Sequence, residues 1–344
     1  LYEARMSPQF HMMVYGFFPH SFAQHMRGDG FRPVVFLNHG LALTIYIVFT
    51  LLAAVGLFRM AKGRDRLKWT FGVFWLFFTL VLGKSLGAMM IVAILLPVAL
   101  FLKPRLQVLV AACFVGIVLT YPMLRAADLV PVDSVLNIAE RITPARADSL
   151  QIRISNENAL LAKANERAAF GWGGWGRNRI FNEQGDNLSV TDGEWIIVLG
   201  VGGWLRYIAL FGLMGWPVLL LYLRHRDKVE LPQTILALIL CAKLVDMLPN
   251  SGWIAVPWLI AGSLIGSLER RWLPKSDATT EAARHVLRPG YTRTREPEEA
   301  IAEKPGYTRA FPGGQKPDDM SAHDHRSGKG RSYRRLRPVS GTRR

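Results

Sequence analysis

The stretch that decides the fold runs over residues 195–223 and reads WIIVLGVGGWLRYIALFGLMGWPVLLLYL, 29 residues carrying a single charge, Arg206. A run this long and this apolar belongs in lipid. As one straight helix it would measure roughly 43 Å, against a bilayer core of about 30 Å. The cluster Gly200, Gly202 and Gly203 is where the helix is expected to break. Residues 195–201 then form an outer re-entrant or interfacial piece, and Arg206 lies near the outer surface. In an unbroken helix Arg206 would sit in hydrocarbon, at a cost of several kcal/mol, and would need a partner.

Six further apolar runs, 34–58, 69–84, 86–102, 106–124, 231–248 and 252–267, join it to make seven candidate spans. Half of the 344 residues are apolar, and they come in runs rather than at helical or strand period, so the chain reads as an all-α integral membrane protein. Short loops carry Arg59, Lys62, Arg64, Arg66 and Lys68, then Lys103 and Arg105, then Arg224, Arg226 and Lys228, then Arg270, Arg271 and Lys275. All four clusters fall after odd-numbered spans, which the positive-inside rule makes cytoplasmic. Segment 1–33, the turn at Gly83 to Ser85, the loop 125–194 and the turn Pro249 to Ser251 then face away from the cytoplasm. The organisation expected is an extracytoplasmic segment 1–33, four spans in 34–124, the loop 125–194, a re-entrant piece with three spans in 195–268, and a tail 269–344.

The chain opens on Leu1, Tyr2 and Glu3 and reads as part of a longer protein with further spans upstream. Cys113 and Cys241 both lie in apolar runs, where a thiol acts as a small hydrophobe, so no disulfide framework is expected. The net charge of +16 is shared between the spans and the tail, and does not call for nucleic acid. The tail is rich in Arg, Pro, Gly and Glu, repeats PGYTR at 289–293 and 305–309, and reads as disordered and cytoplasmic. Its basic end, 326–344, suits an anionic leaflet, a polyanion or simple solvation.

The loop contains RAAFGWGGWGR over residues 167–177. Trp172 and Trp175 among glycines make a surface suited to stacking on sugar rings, while the backbone turns tightly. Around it the outer face gathers polar candidates. Asn38 and His39 enter the first span, where His39 is a possible base or a simple interface histidine. Lys84 ends the second, as a ligand for an anion or a snorkelling cation. Residues 148–169 have helical character, and Arg146, Leu150, Arg153 and Glu157 are spaced to share one face, able to bind phosphate or to pair among themselves. Asp192 and Glu194 close the loop beside Trp195, as carboxylates that orient or deprotonate a sugar hydroxyl, and Thr191 or Asp192 is also placed to cap the helix that follows, two roles that do not exclude each other. Lys243 and Asp246 are spaced as a structural ion pair. Nucleotide-type phosphate loops, paired CxxC, HExxH, GxSxG and DxD patterns do not occur, so neither a metal nor a cofactor is called for.

Arg32 and Asn38 entering a span, the Lys84, Ser85, Leu86, Gly87 turn, Arg153, the Phe170 to Gly173 block and the closing LGVGGW over 199–204 resemble, in that order, the O-antigen ligase and O-antigen polymerase superfamily over about residues 28–224. The resemblance implies a polytopic helix bundle of the lipid-carrier-dependent, GT-C-like type. It also implies a glycosyltransferase of the bacterial inner membrane that takes a glycan from undecaprenyl diphosphate on the periplasmic side to a glycan or lipid acceptor, with inversion and without a metal. Arg32, Lys84, Arg153 and Arg206 would stabilise the diphosphate, Trp172, Trp175 and Asn38 would hold sugar, and Asp192, Glu194 or His39 would activate the acceptor. Other polysaccharide-assembly proteins are the partners it suggests. The family usually has arginine where this chain has Lys84, which keeps the charge but loses the bidentate fork. Ligases commonly carry a histidine before the final re-entrant element, and residues 125–194 have none. Polymerase or exopolysaccharide assembly is therefore favoured over lipid A core ligation. A transporter or flippase of a lipid-linked or anionic substrate is the competing expectation, and a scaffold that recruits partners through its tail is a third.

Overall fold

The computed structural model describes residues 1–26, 30–130, 136–137, 140, 144–174 and 176–269, with the backbone alone over 144–149. The expected tail from 270 onward and Trp175 lie outside the described residues. The chain is mostly helical, and no strand occurs among the described residues. Two short helices, α1 (Tyr2–Met6) and α2 (Phe10–Tyr15), precede a bundle of α3 (Gly40–Met60), α4 (Arg64–Leu82), α5 (Leu86–Phe101), α6 (Pro104–Ala126), α8 (Glu194–His225), α9 (Leu231–Asp246) and α10 (Ala255–Glu269), with α7 (Pro144–Asn165) in the long loop. Each of the seven apolar runs has become a helix. Three of these, α3, α6 and α8, are long and apolar enough to cross a membrane, and α5 and α10 are shorter apolar helices.

The bundle is organised around α9, which touches α3, α5, α6, α8 and α10 and is buried around nearly its whole circumference. Apolar residues on every side of a helix fit only such a central position. The outer surface is apolar as well. Phe71, Phe74 and Phe78 of α4, Met90 and Ile94 of α5, and Leu205, Ile208 and Trp216 of α8 are all exposed. That is far more hydrocarbon than a water-facing surface ordinarily shows.

Polar contacts fix which helix ends meet. At one end Arg59 donates to the Ala99 carbonyl (2.7 Å). There Gln107, buried, donates to the Val98, Ala99 and Leu102 carbonyls left open where α5 ends, and accepts the Thr234 hydroxyl at the start of α9. The same end holds the exposed Arg105–Asp227 pair. At the other end, the Arg32 guanidinium meets the backbone after α4, and the first amide of α8 donates to the Met247 and Asn250 carbonyls beyond α9. The first three basic clusters and the long polar loop therefore occupy opposite ends of the bundle, and the fourth cluster, at Arg270, Arg271 and Lys275, lies outside the described residues.

The first bundle helix, α3, begins at Gly40, six residues later than the apolar run. Asn38 and His39 are thus not helical. The cause lies thirty residues upstream, where the buried Glu3 carboxylate accepts the amides of Val34 (2.9 Å), Val35 (2.6 Å) and Phe10 (2.7 Å). Those bonds hold residues 34–35 out of a helix, and His39 serves as N-cap, its Nδ1 accepting the Leu41 amide at 3.0 Å.

α8 breaks where its glycines cluster. Gly203 has φ 64 and ψ −167, and the orphaned backbone groups on both sides of the break are satisfied by the tryptophan–glycine loop. The Gly200 and Val201 carbonyls accept the amides of Trp172 (2.9 Å) and Gly173 (2.8 Å), and the amides of Trp204 (2.8 Å) and Leu205 (3.2 Å) donate to Ala168 and Ala169. A Cβ on Gly203 would run into those two carbonyl oxygens, and one on Gly171 (φ 67) would meet the Gly202 and Gly203 amides. The loop and the broken helix are spliced together, as the general requirement for paired buried backbone groups demands.

Candidate functional site

Two groups of the sequence-predicted residues assemble at the loop end. The first is built by the segment that leads into α3 and by the turn between α4 and α5. Arg32, 7% exposed, donates from Nη2 to the Lys84 carbonyl at 3.2 Å. Lys84 takes a left-handed φ of 49, which turns the chain from α4 into α5, and its exposed side chain reaches back over Gly30. His39 stands 4.8 Å from His25 and 4.9 Å from His20, ring centre to ring centre. His25 is fully buried, with Nδ1 at the Ser21 carbonyl and Nε2 near the Gly40 amide, the pattern of a neutral ring with Nδ1 protonated. Asn38 is exposed beside it.

The second group is built by α6, α7 and the start of α8. α7 lies on the bundle through Leu160, Leu161 and Ala164, which join the core. That docking turns Leu150, Arg153, Ile154 and Glu157 toward α6. Between them is a cavity of about 210 Å³, lined by Tyr121 and Arg125 from α6, Arg153 and Glu157 from α7, Asp192 from the end of the loop, and the apolar Leu248 and Pro249. Of the shared face read from helical spacing, Leu150, Arg153 and Glu157 line this cavity, and the side chain of Arg146 lies outside the described residues.

Arg153 and Asp192 form an ion pair at 3.3 Å, both partly exposed. The cap of α8 is Gly193, with no side-chain bond, so Asp192 is spent on Arg153 rather than on the helix terminus. Arg125 is 5% exposed, and its Nη2 is buried without a hydrogen-bond partner among the described residues. Glu157 is half-buried, and its carboxyl is raised from an ordinary 4.5 to about 7. Withdrawal from water is the main cause, Arg125 opposes it, and the negative charge of Asp192 adds to it. The nearby Trp195 indole favours the charged form of Glu157, as Arg125 does.

Glu194 is placed differently. It is 7% exposed, and its two carboxylate oxygens accept the Gly252 amide (3.0 Å) and the Trp253 indole (2.7 Å), pinning the turn between α9 and α10 to the start of α8. Trp195 is fully buried against Tyr121, 5.0 Å between rings, so the first half of α8 is packed within the bundle rather than lying at its surface. Lys243 and Asp246 form the expected structural pair at 3.0 Å, with the second Asp246 oxygen taken by Asn250 at 2.8 Å.

Trp172 donates its indole N–H to the Lys163 carbonyl (2.8 Å), and the Arg167 guanidinium lies 4.4 Å and the Lys163 ammonium 5.0 Å from its ring centre. Part of its π-surface is therefore engaged within the protein. Arg206 is exposed just past the break, folded over Gly202. Sequence reasoning missed Tyr121 and Arg125, because they end an apolar helix far from any motif, and it gave Glu157 no chemical role. The signal that was present is the helical spacing from Arg153 to Glu157. No known protein family, curated protein or solved structure matches this chain.

Proposed function

We propose that this protein is a GT-C-like glycosyltransferase of the bacterial inner membrane, an O-antigen or exopolysaccharide polymerase or ligase. It takes a glycan from an undecaprenyl diphosphate carrier on the extracytoplasmic face and passes it to a glycan or lipid acceptor. The observation that carries this reading is the cavity at the loop end of an apolar bundle, where Arg125, Arg153, Glu157, Asp192 and Tyr121 converge. Lipid-facing helices bring a lipid carrier to that end, and charged groups sited there suit a reaction at the boundary of the bilayer.

The chemistry matches the side chains present. An acceptor oxygen attacks the anomeric carbon from the face opposite the carrier, the bond from that carbon to the diphosphate oxygen breaks, and the electron pair departs with the diphosphate. Guanidinium groups meet that growing charge with paired N–H donors. Arg153 stands at the cavity, and Arg206, Arg32 and Lys84 supply further cations at the same end. The acceptor proton goes to a carboxylate. In this reading all seven bundle helices span the membrane, the basic clusters face the cytoplasm, and the loop faces outward.

Glycan profiling of a deletion strain complemented with the wild-type gene or with Arg153→Ala tests it. The wild-type gene restores polymer, and Arg153→Ala leaves the lipid-linked precursor accumulated with polymer reduced about a hundredfold, as the loss of one charge-stabilising group implies. Unchanged polymer in the deletion strain, with no build-up of precursor, would refute the reading.

A further inference from the structure

Three carboxylates stand near the start of α8, and their surroundings separate them. Glu194 has both oxygens occupied by neutral donors that hold a turn in place. Asp192 has its charge matched by Arg153 at 3.3 Å. Glu157 lies one helical turn beyond Arg153 and faces the cavity opposite Arg125 and Tyr121.

We propose that Glu157 accepts the proton of the acceptor hydroxyl, and that Arg125 and Tyr121 hold the sugar bearing that hydroxyl in the cavity between α6 and α7. This rests on the glycosyl-transfer reading and adds to it the acceptor subsite and the base. Arg125, whose buried Nη2 has no hydrogen-bond partner among the described residues, lines the same cavity as Glu157, so its guanidinium keeps donor capacity that a ligand oxygen can meet. The walls alternate polar groups with Val130, Leu150, Ile154, Leu248 and Pro249, which suits a sugar ring with hydroxyl edges and apolar faces. At about 210 Å³ the space is below the roughly 300–1,000 Å³ of pockets for larger ligands, so it admits a single ring.

The step balances on this residue. The hydroxyl proton moves to the Glu157 carboxylate as the acceptor oxygen forms its bond to the anomeric carbon, the bond from that carbon to the diphosphate oxygen breaks, and the polyprenyl diphosphate leaves with the electron pair as a trianion. The charged groups facing Glu157 are Arg125 from α6, Arg153 from its own helix and Asp192 from the loop end, with Tyr121 the other titratable neighbour. A carboxyl that titrates near neutrality is matched to taking up a proton in the transition state and releasing it afterward.

The test uses purified full-length protein in lipid nanodiscs, with a polyprenyl-diphosphate oligosaccharide as donor and a free oligosaccharide as acceptor. Wild-type transfer should fall on the acid side with a midpoint near 7, as Glu157 becomes protonated. Glu157→Gln should lower the rate by about 10²–10⁴-fold, leave donor binding intact and abolish that acid limb in the residual activity. Asp192→Asn, with Glu157 in place, should move the midpoint downward, since it removes a neighbouring negative charge and frees Arg153. Wild-type rate and pH profile in Glu157→Gln, or an unmoved midpoint in Asp192→Asn, would overturn the assignment while leaving glycosyl transfer standing. Wild-type protein that neither binds the donor nor transfers from it would sink the glycosyl-transfer reading, and this inference with it.

Discussion

Glu194 and Glu157 are both drawn out of water at the same end of the bundle, and they are used in opposite ways. Glu194 accepts a backbone amide and an indole N–H, and these bonds tie the turn at 250–253 to α8. Glu157 faces Arg125 across an open cavity, with Arg153 one turn away on its own helix, and its carboxyl is pushed up to about 7. Glu3, which accepts three amides, and Asp246, shared by Lys243 and Asn250, resemble Glu194. A carboxylate whose two oxygens are both committed to donors of the protein stabilises the fold. One that looks onto space between cations is placed for a ligand.

The comparison can be broken in several ways, and the loss of transfer in Glu157→Gln or Arg153→Ala is the largest expected effect. Next comes Gly203→Ala. It forces a side chain into a left-handed backbone and onto the Ala168 and Ala169 carbonyls, a combination of strain and overpacking worth about 3 kcal/mol. A lowered melting temperature, with faster proteolysis of the α7 region, is the expected result, and wild-type behaviour would mean that the splice does not hold α7. Glu194→Gln should cost about 1–3 kcal/mol in stability, since a carboxamide cannot accept both the Gly252 amide and the Trp253 indole. Its transfer rate per folded molecule should stay near wild type.

The smallest effect is on stability against pH. Folding raises the Glu157 value from 4.5 to about 7, so between those values the folded state binds more protons than the unfolded one and stability falls as pH rises. Above 7 the penalty is complete. Glu157→Gln, which stays neutral, should therefore melt higher than wild type above pH 7, with the gap closing as pH falls toward 4.5. Calorimetry across that window checks it.

The helices were legible because each run of apolar residues leaves a helix no other way to pair its backbone, and all seven runs became helices. The break at Gly203 was legible too, from glycines in a run too long for one span. What the loop does for that break was not. Four hydrogen bonds between residues 168–173 and 200–205 join segments about thirty positions apart, and the sugar-stacking look of the motif hid them. Asn38 and His39 were misplaced onto a helix because the residue that unwinds it, Glu3, acts from the far end of the segment. The cavity was half legible: Arg153 and Asp192 were singled out and meet, Glu157 was seen as a face-mate only, and Arg125 carried no signal until α6 brought it beneath α7.

The most direct test is the transfer rate, per folded molecule and at a pH above 7, of Glu157→Gln and Glu194→Gln side by side, with a polyprenyl-diphosphate oligosaccharide as donor. The account predicts that Glu157→Gln is slower by at least about a hundredfold while Glu194→Gln keeps close to the wild-type rate. Loss of transfer in Glu194→Gln with full activity in Glu157→Gln would contradict it.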